Sequence, residues 1–293
     1  MGGATTSIVI RTLNEAKHLP SLLDSIERQN RLPDEVILVD SGSTDTTVSI
    51  AEKHGLKIVH IPPGDFTFGR ALNWGCEAAK GDLLVLVSAH VYALDDNWLE
   101  QLVEPFADDR VGLSYGGQTG DHRSNFAEIE LLKRWFPEEG TNDQQSPFCN
   151  NANCAIRRSL WEQVPYDESL PGLEDMAFAR ELRSKGHRIA YVPKAKIAHV
   201  HEEGWKQTMN RYRREAMAYQ TIFGSQDMSL ANAAALAFES VIKDTNAAVT
   251  NRQFSEIPSA VGFRVAQYAG AWSGHRSNPS ETTQIVRRMY YPR

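Results

Sequence analysis

Five short polar stretches carry side chains able to do chemistry. Arg11-Thr12-Leu13-Asn14-Glu15, Asp40-Ser41-Gly42-Ser43-Thr44-Asp45 and Ser88-Ala89-His90 each follow an aliphatic run. Their carboxylates, hydroxyls and amides suit hydrogen bonding to a ribose or a base, with Asp40 placed to accept. The Asp40–Asp45 stretch suits a helix-capping turn equally well, because Ser, Thr and Asp favour N-caps. Glu174-Asp175 sets two carboxylates at the expected start of a helix, where the dipole favours negative charge. His199 and His201 are i and i+2 of an expected strand, so their imidazoles share one face. Neither G-x-G-x-x-G nor G-x-x-x-x-G-K-[ST] occurs where a phosphate loop would need it. That argues against a dinucleotide dehydrogenase or a P-loop NTPase.

These stretches act together only if the preceding strands bring them together. Ser7–Ile10, Val36–Val39, Lys57–Ile61 and Leu83–Val87 read as strands. Their continuous aliphatic character fits a sheet covered on both faces, with crossover helices between parallel strands. Asn14 is expected to cap a helix carrying Leu19, Leu22, Leu23 and Ile26 at helical spacing. Further helices are expected over 46–54, stopped by Gly55, and over 70–79, closed by Gly81. Beyond these lie a helix over 98–106, a strand over 111–115, a helix over 126–135, a loop over 137–148 and a strand over 152–156. A helix over 176–185 precedes two strands, 189–192 and 196–201. Helical patterns then cover 205–223, 229–248 and 256–272. The fold class is α/β. The boundary falls at 203, giving a sheet domain over 1–203 and a helical extension over 204–293. In open parallel sheets ligands bind beyond the carboxyl ends of the strands, where the first three polar stretches lie.

With 31 basic and 37 acidic residues the chain carries a net charge of −6, without the basic field of a nucleic-acid binder. No apolar run approaches the ~20 residues that span a bilayer. The start, Met1 to Thr6, lacks the regions of a signal peptide. Cys76, Cys149 and Cys154 form no C-x-x-C pair, which points to free thiols in a reducing cytosol.

The residues Ser7-Ile-Val-Ile-Arg-Thr-Leu-Asn-Glu15, Asp34-Glu-Val-Ile-Leu-Val-Asp-Ser-Gly-Ser-Thr-Asp-Thr-Thr47 and Gly69-Arg-Ala-Leu-Asn-Trp-Gly75 resemble family 2 glycosyltransferases of the GT-A fold. The likeness continues through Asn151–Arg158, Gly172–Asp175 and His199–His201, and covers residues 7–215. Its nearest flavour is the rhamnosyltransferase-like subset. The resemblance implies that Thr12, Asn14 and Glu15 line a nucleotide pocket. It implies that Asp40 contacts base or ribose with Ser43 nearby, and that Arg70 and Asn73 face the nucleotide or its phosphates. In Glu174-Asp175, Asp175 would match the catalytic base of inverting members, taking a proton from the acceptor hydroxyl.

One departure stands out. The family's metal-binding Asp-x-Asp is replaced by Ser88-Ala89-His90. Three readings follow: His90 ligates a divalent metal, with His199 and His201 as further ligands and Mn2+ favoured over Mg2+; the diphosphate is stabilised without metal by arginine and backbone donors; or catalysis has been lost. The expected function is inverting transfer of a sugar from a nucleoside diphosphate to a glycan or lipid-linked acceptor, in polysaccharide or glycoconjugate synthesis. The alternative is a non-catalytic sugar-nucleotide binder or assembly protein on the same scaffold. Lys206, Arg211, Arg213 and Arg214 read as a solvated face, or as a contact for diphosphate or an anionic membrane surface. The helical extension, with Phe238, Phe263, Trp272, Tyr290 and Tyr291, is expected to pack on the sheet domain or to form a homodimer. The expected location is the cytoplasm, including the inner face of the membrane.

Overall fold

The computed structural model describes residues 3–224 and 228–277; Tyr290 and Tyr291 lie outside the described residues. In chain order the elements are β1 (Thr6–Thr12), α1 (Leu19–Glu27), β2 (Glu35–Asp40), α2 (Thr47–Lys53), β3 (Lys57–His60), α3 (Phe68–Ala78), β4 (Leu83–Ser88) and β5 (Val91–Ala93). They continue with α4 (Trp98–Val103), β6 (Val111–Thr119), α5 (Phe126–Trp135), β7 (Asn153–Arg157), α6 (Arg158–Gln163), α7 (Glu174–Ser184) and β8 (Arg188–His199). The last are α8 (Trp205–Phe223), α9 (Leu230–Thr250) and α10 (Ile257–His275). Among the described residues no helix is long and apolar enough to cross a membrane. All three cysteines are free and buried.

The strands form one mixed sheet in the order β3-β2-β1-β4-β7-β6-β8-β5. β1, β2, β3 and β4 run parallel, β7 runs antiparallel to both its neighbours, and β6 pairs in parallel with β8. Every residue of β4 is buried, which explains its unbroken aliphatic run. Helix α3 approaches the sheet closely at Gly75. A Cβ there would stand 2.3 Å from Val9 Cγ1 and 2.8 Å from Val39 Cγ2, so only glycine lets the helix sit at this depth.

Three local expectations change. Asn14 does not cap α1: the helix starts at Leu19 after His18, and Asn14 takes the left-handed region at φ 56°. The two strands expected over 189–201 are one strand, β8, with a register jump between Gly116 and Gln118 opposite it. Gly116 permits this because a Cβ there would lie 2.0 Å from Ala195 O. His201 therefore falls beyond the strand, and the i, i+2 argument does not place it. The short strand β5 goes unseen in the sequence because three residues cannot display a period.

The chain divides into two compact units. The first comprises Met1–Thr119, Phe136–Ser169 and Glu174–Val200; the second comprises Gly120–Trp135, Leu170–Leu173 and the chain from His201 onward. The second thus takes α5, which a boundary at 203 assigns to the sheet domain. The reason is packing: Phe126, Ala127 and Leu131 of α5 share a core with Tyr212, Ala248, Ala260 and Phe263. Within this unit Arg264 is wholly buried against Asp244, with Nε–Oδ2 at 2.6 Å. Its remaining donors reach Gln267 Oε1 at 2.7 Å and Ala127 O at 3.0 Å, so the buried charge is paired and satisfied.

Candidate active site

The carboxyl ends of three parallel strands lie side by side. Thr12 is in register with Asp40, and Arg11 with Ser88. The loops after β1 and β2 are laced together by side chains. Asn14 Oδ1 accepts from Thr44 N (2.7 Å), while Ser43 Oγ accepts from Asn14 N (2.9 Å). Thr47 Oγ1 accepts from Glu15 N (2.8 Å), and Asp45 Oδ2 from Ala16 N (3.1 Å). Asn14 and Ser43 therefore hold the loops together, and Asp45 and Thr47 of the same motif join them. Thr12 Oγ1 donates to Val39 O (3.1 Å).

Asp40 is buried at the end of β2, where its carboxylate accepts from Gly42 N (3.2 Å) and Ser43 N (3.1 Å). These contacts make a turn at the end of β2, not the helix cap that the residue types equally suggested: α2 begins at Thr47, and its N-cap Thr46 makes no side-chain capping bond. A carboxylate has about four acceptor sites, so two turn contacts leave it able to accept from a ligand hydroxyl or amine. His60 Nδ1 lies 3.4 Å from Asp40 Oδ2, on an exposed ring at the rim. Gly42, at φ 93°, is required both for this backbone and because a Cβ would meet Pro63 Cγ at 2.6 Å.

Glu174 and Asp175 begin α7 and are both buried. Asp175 Oδ2 accepts from Asn151 N (3.1 Å) and Oδ1 from Met176 N (2.8 Å). Asn151 lies two residues before β7, whose first residue Asn153 pairs with Val87 of β4. That places Asp175 beside the end of β4. Arg11 Nη1 reaches Glu174 Oε1 at 3.3 Å, tying the end of β1 to the same helix start. Burial, with the neighbouring Glu174 carboxylate, pushes the Asp175 carboxyl up to about 7, against the lowering effect of the two backbone donors and Arg11. A carboxyl near neutrality is suited to accept a proton; one serving only as a helix cap gains nothing from that shift.

Two of the three histidines meet within the sheet unit. His90 and His199 stack with ring centroids 5.1 Å apart, and Val200 N donates to His90 O (3.0 Å). His201 belongs to the second unit, where its Nδ1 lies 2.9 Å from Glu128 Oε1. An imidazole pair suits a first-row transition ion better than Mg2+, an ion that prefers oxygen ligands in an octahedral shell.

Arg70 and Asn73 on α3 are engaged within the protein. Arg70 Nε pairs with Glu168 Oε2 (2.7 Å), and its Nη1 donates to Asp65 O (2.8 Å). Asn73 Nδ2 donates to Tyr166 O (2.9 Å) and Glu168 Oε1 (3.1 Å), while its Oδ1 accepts from Trp161 Nε1 and Tyr166 N. Asn73 thus fastens the 166–168 loop to α3 and presents no spare donor to a nucleotide. The basic stretch on α8 is not a solvated face throughout: Arg211 is held between Glu128 Oε1 (2.8 Å) and Glu203 Oε2 (2.9 Å). Arg11 and Gln118 could have been suspected from their places at strand ends. Glu128 and Glu168 carried no such signal.

Residues 7–164 match the family model described as Glycosyl transferase family 2. The chain is 25% identical over 218 residues to the O-antigen chain rhamnosyltransferase RfbN of Salmonella typhimurium, covering 70% of this chain and 69% of that one. It is 28% identical over 199 residues to the O-antigen chain rhamnosyltransferase WbaN of Salmonella anatum, covering 64% and 63%. In fold it is similar to a mannosyltransferase from Pyrobaculum calidifontis solved with GDP-Man and Mn2+, with TM-score 0.61 and 19% identity over 96% of this chain and 87% of that one. It is also similar to glucosyl-3-phosphoglycerate synthase from Mycobacterium tuberculosis solved with Mn2+, UDP and glucosyl-3-phosphoglycerate, with TM-score 0.59 and 23% identity over 77% and 82%.

Proposed function

We propose, because this chain belongs to glycosyl transferase family 2, that it moves a sugar with inversion from a nucleoside-diphosphate donor to a hydroxyl of a glycan or lipid-linked acceptor. The observation that carries this reading is the Asp175 carboxyl, buried beside the end of β4 and held there by Asn151 N and Met176 N. The acceptor oxygen forms a bond to the anomeric carbon as the bond from that carbon to the diphosphate oxygen breaks. The acceptor proton passes to the Asp175 carboxylate, held in orientation by Asn151 N and Met176 N. Arg11 neutralises Glu174, so the pair does not carry two unopposed buried charges. Asp40 accepts from the base or ribose, on loops made rigid by Asn14, Ser43, Asp45 and Thr47. His90 and His199 would help to hold a divalent cation, which would offset the negative charge of the leaving diphosphate.

The names of the two Salmonella relatives support polysaccharide synthesis as the setting and a rhamnosyl donor as the first substrate to try. The ligands of the two solved neighbours support a nucleoside diphosphate and Mn2+. The test compares wild type and Asp175→Asn for transfer and donor hydrolysis over a panel of nucleoside-diphosphate sugars, with nucleotide affinity measured by calorimetry. The variant should keep nucleotide affinity within about twofold and lose roughly 100-fold or more in turnover. Undiminished turnover would remove Asp175 from the role of base.

A further inference from the structure

Within the sheet unit, Gly69, Arg70 and Asn73 of α3 all grip one loop of the protein itself, residues 166–168. Asn73 commits its amide there: Nδ2 donates to Tyr166 O (2.9 Å) and Glu168 Oε1 (3.1 Å), and Oδ1 accepts from Tyr166 N (2.9 Å). Arg70 Nε pairs with Glu168 Oε2 at 2.7 Å. At Gly69 the two backbones close up, since a Cβ there would stand 2.5 Å from Asp167 O. Both backbone polar groups of Tyr166 are thus tied to a single side chain, which fixes where its ring and hydroxyl lie.

The seated residue reaches the base. Tyr166 is 3% exposed, and its ring packs on Phe178 with centroids 4.8 Å apart. Phe178 stands one turn after Asp175 on α7, on the same side of the helix. The Tyr166 hydroxyl donates to Asn151 Oδ1 (3.3 Å), and Asn151 N holds Asp175 Oδ2 (3.1 Å). Burial pushes the phenol well above its usual range, so it stays an O–H donor.

We infer that Tyr166 is a positioning residue for Asp175, and that Gly69, Arg70 and Asn73 act on the reaction by seating it; this rests on Asp175 being the base of the proposed function. Tyr166 supports the carboxyl twice, through the helix that carries it and through the residue that hydrogen-bonds it. A base must meet its proton at hydrogen-bond distance, and a misplacement of about 1 Å can cost roughly 100-fold. The three α3 residues therefore bear on turnover rather than on nucleotide affinity. Around Asp175 stand Glu174, Arg11, the thiols of Cys149 and Cys154 and the Tyr166 phenol. Burial keeps the thiols and the phenol neutral, so Glu174 and Arg11 bring the charge. Phenylalanine at 166 alters neither of those two and keeps the ring in place. Its effect on Asp175 then comes through Asn151, whose N–H lowers the carboxyl.

The test follows the ionisation of Asp175 in wild type, Tyr166→Phe and Asn73→Ala by NMR of labelled aspartate carboxyl carbons, with Asp175→Asn identifying the resonance. Both variants should raise the midpoint by about half a pH unit to one pH unit, as the Asn151 contact loosens. Both should lose about tenfold or more in kcat, with nucleoside diphosphate affinity within about twofold of wild type. Tyr166→Phe is the decisive member, because it removes one oxygen and empties no core; circular dichroism checks that both variants stay folded. A midpoint unmoved in Tyr166→Phe would overturn the inference. So would an Asn73→Ala protein that titrates like wild type and binds nucleoside diphosphate more weakly. The titration needs no turnover: undiminished transfer by Asp175→Asn would sink the proposed base, while the midpoints would still report whether Tyr166 holds that carboxyl.

Discussion

Asparagine in place of Asp175 should lose turnover and gain stability together, and the gain should depend on pH. In the folded protein the Asp175 carboxyl is pushed up from 3.8 to about 7, first by burial and then by Glu174. The fold therefore favours the protonated form. The stability this group contributes is complete below pH 3.8 and is lost as pH rises towards about 7. The displacement corresponds to about 4 kcal/mol when the loss is complete. Asparagine never ionises, so it escapes that loss. It carries a fixed penalty instead, because it has one acceptor oxygen for the two N–H groups of Asn151 and Met176; leaving one unsatisfied costs about 1–3 kcal/mol at every pH. The stability of the variant minus that of wild type should therefore rise by up to about 4 kcal/mol between pH 4 and pH 8, from a negative or neutral value to a positive one. Urea unfolding of both proteins at pH 4, 6 and 8 measures this directly. A difference that stays flat across the range would refute the claim that burial holds this carboxyl near neutrality. In wild type the same group predicts kcat/KM rising with pH through a midpoint of about 7, since the base must be ionised to act.

Prolonged EDTA treatment should abolish transfer, and Mn2+ should restore it more fully than Mg2+; full activity in excess EDTA would exclude a required ion at the histidines. Asp40→Ala should weaken nucleoside diphosphate binding by at least about tenfold by calorimetry, through both its lost acceptor and the loosened 42–43 turn. Asp244→Ala should destabilise the protein by about 3–5 kcal/mol in urea titrations, because it strands the wholly buried Arg264. Gly75→Ala should cost about 1–3 kcal/mol by the same measure, as the new methyl drives α3 against Val9 and Val39.

Much of the scaffold was legible because its signals are local. The aliphatic runs of β1, β2 and β4 and the helical spacing of Leu19, Leu22, Leu23 and Ile26 declare themselves within a dozen residues, and Gly55 does end its helix in the left-handed region, at φ 68°. The ordered motifs pointed to the family, and the polar residues after the strands pointed to one edge of a sheet. The sequence could not say what those residues do there. Asn14 looked like a cap for the helix that follows it and instead secures a loop thirty residues on, through Thr44 N. Asn73 looked like a nucleotide contact and instead holds Tyr166 and Glu168. Glu128 carried no pattern at all, yet it meets His201 across 73 positions of chain. Hydrogen bonds act over about 3 Å, and the partners that decide a polar side chain's role are brought within that distance by the folded chain, independently of their separation in sequence. Residue types and their order thus determined the fold and the chemistry within reach, and the tertiary structure alone decided which polar atoms the protein itself occupies.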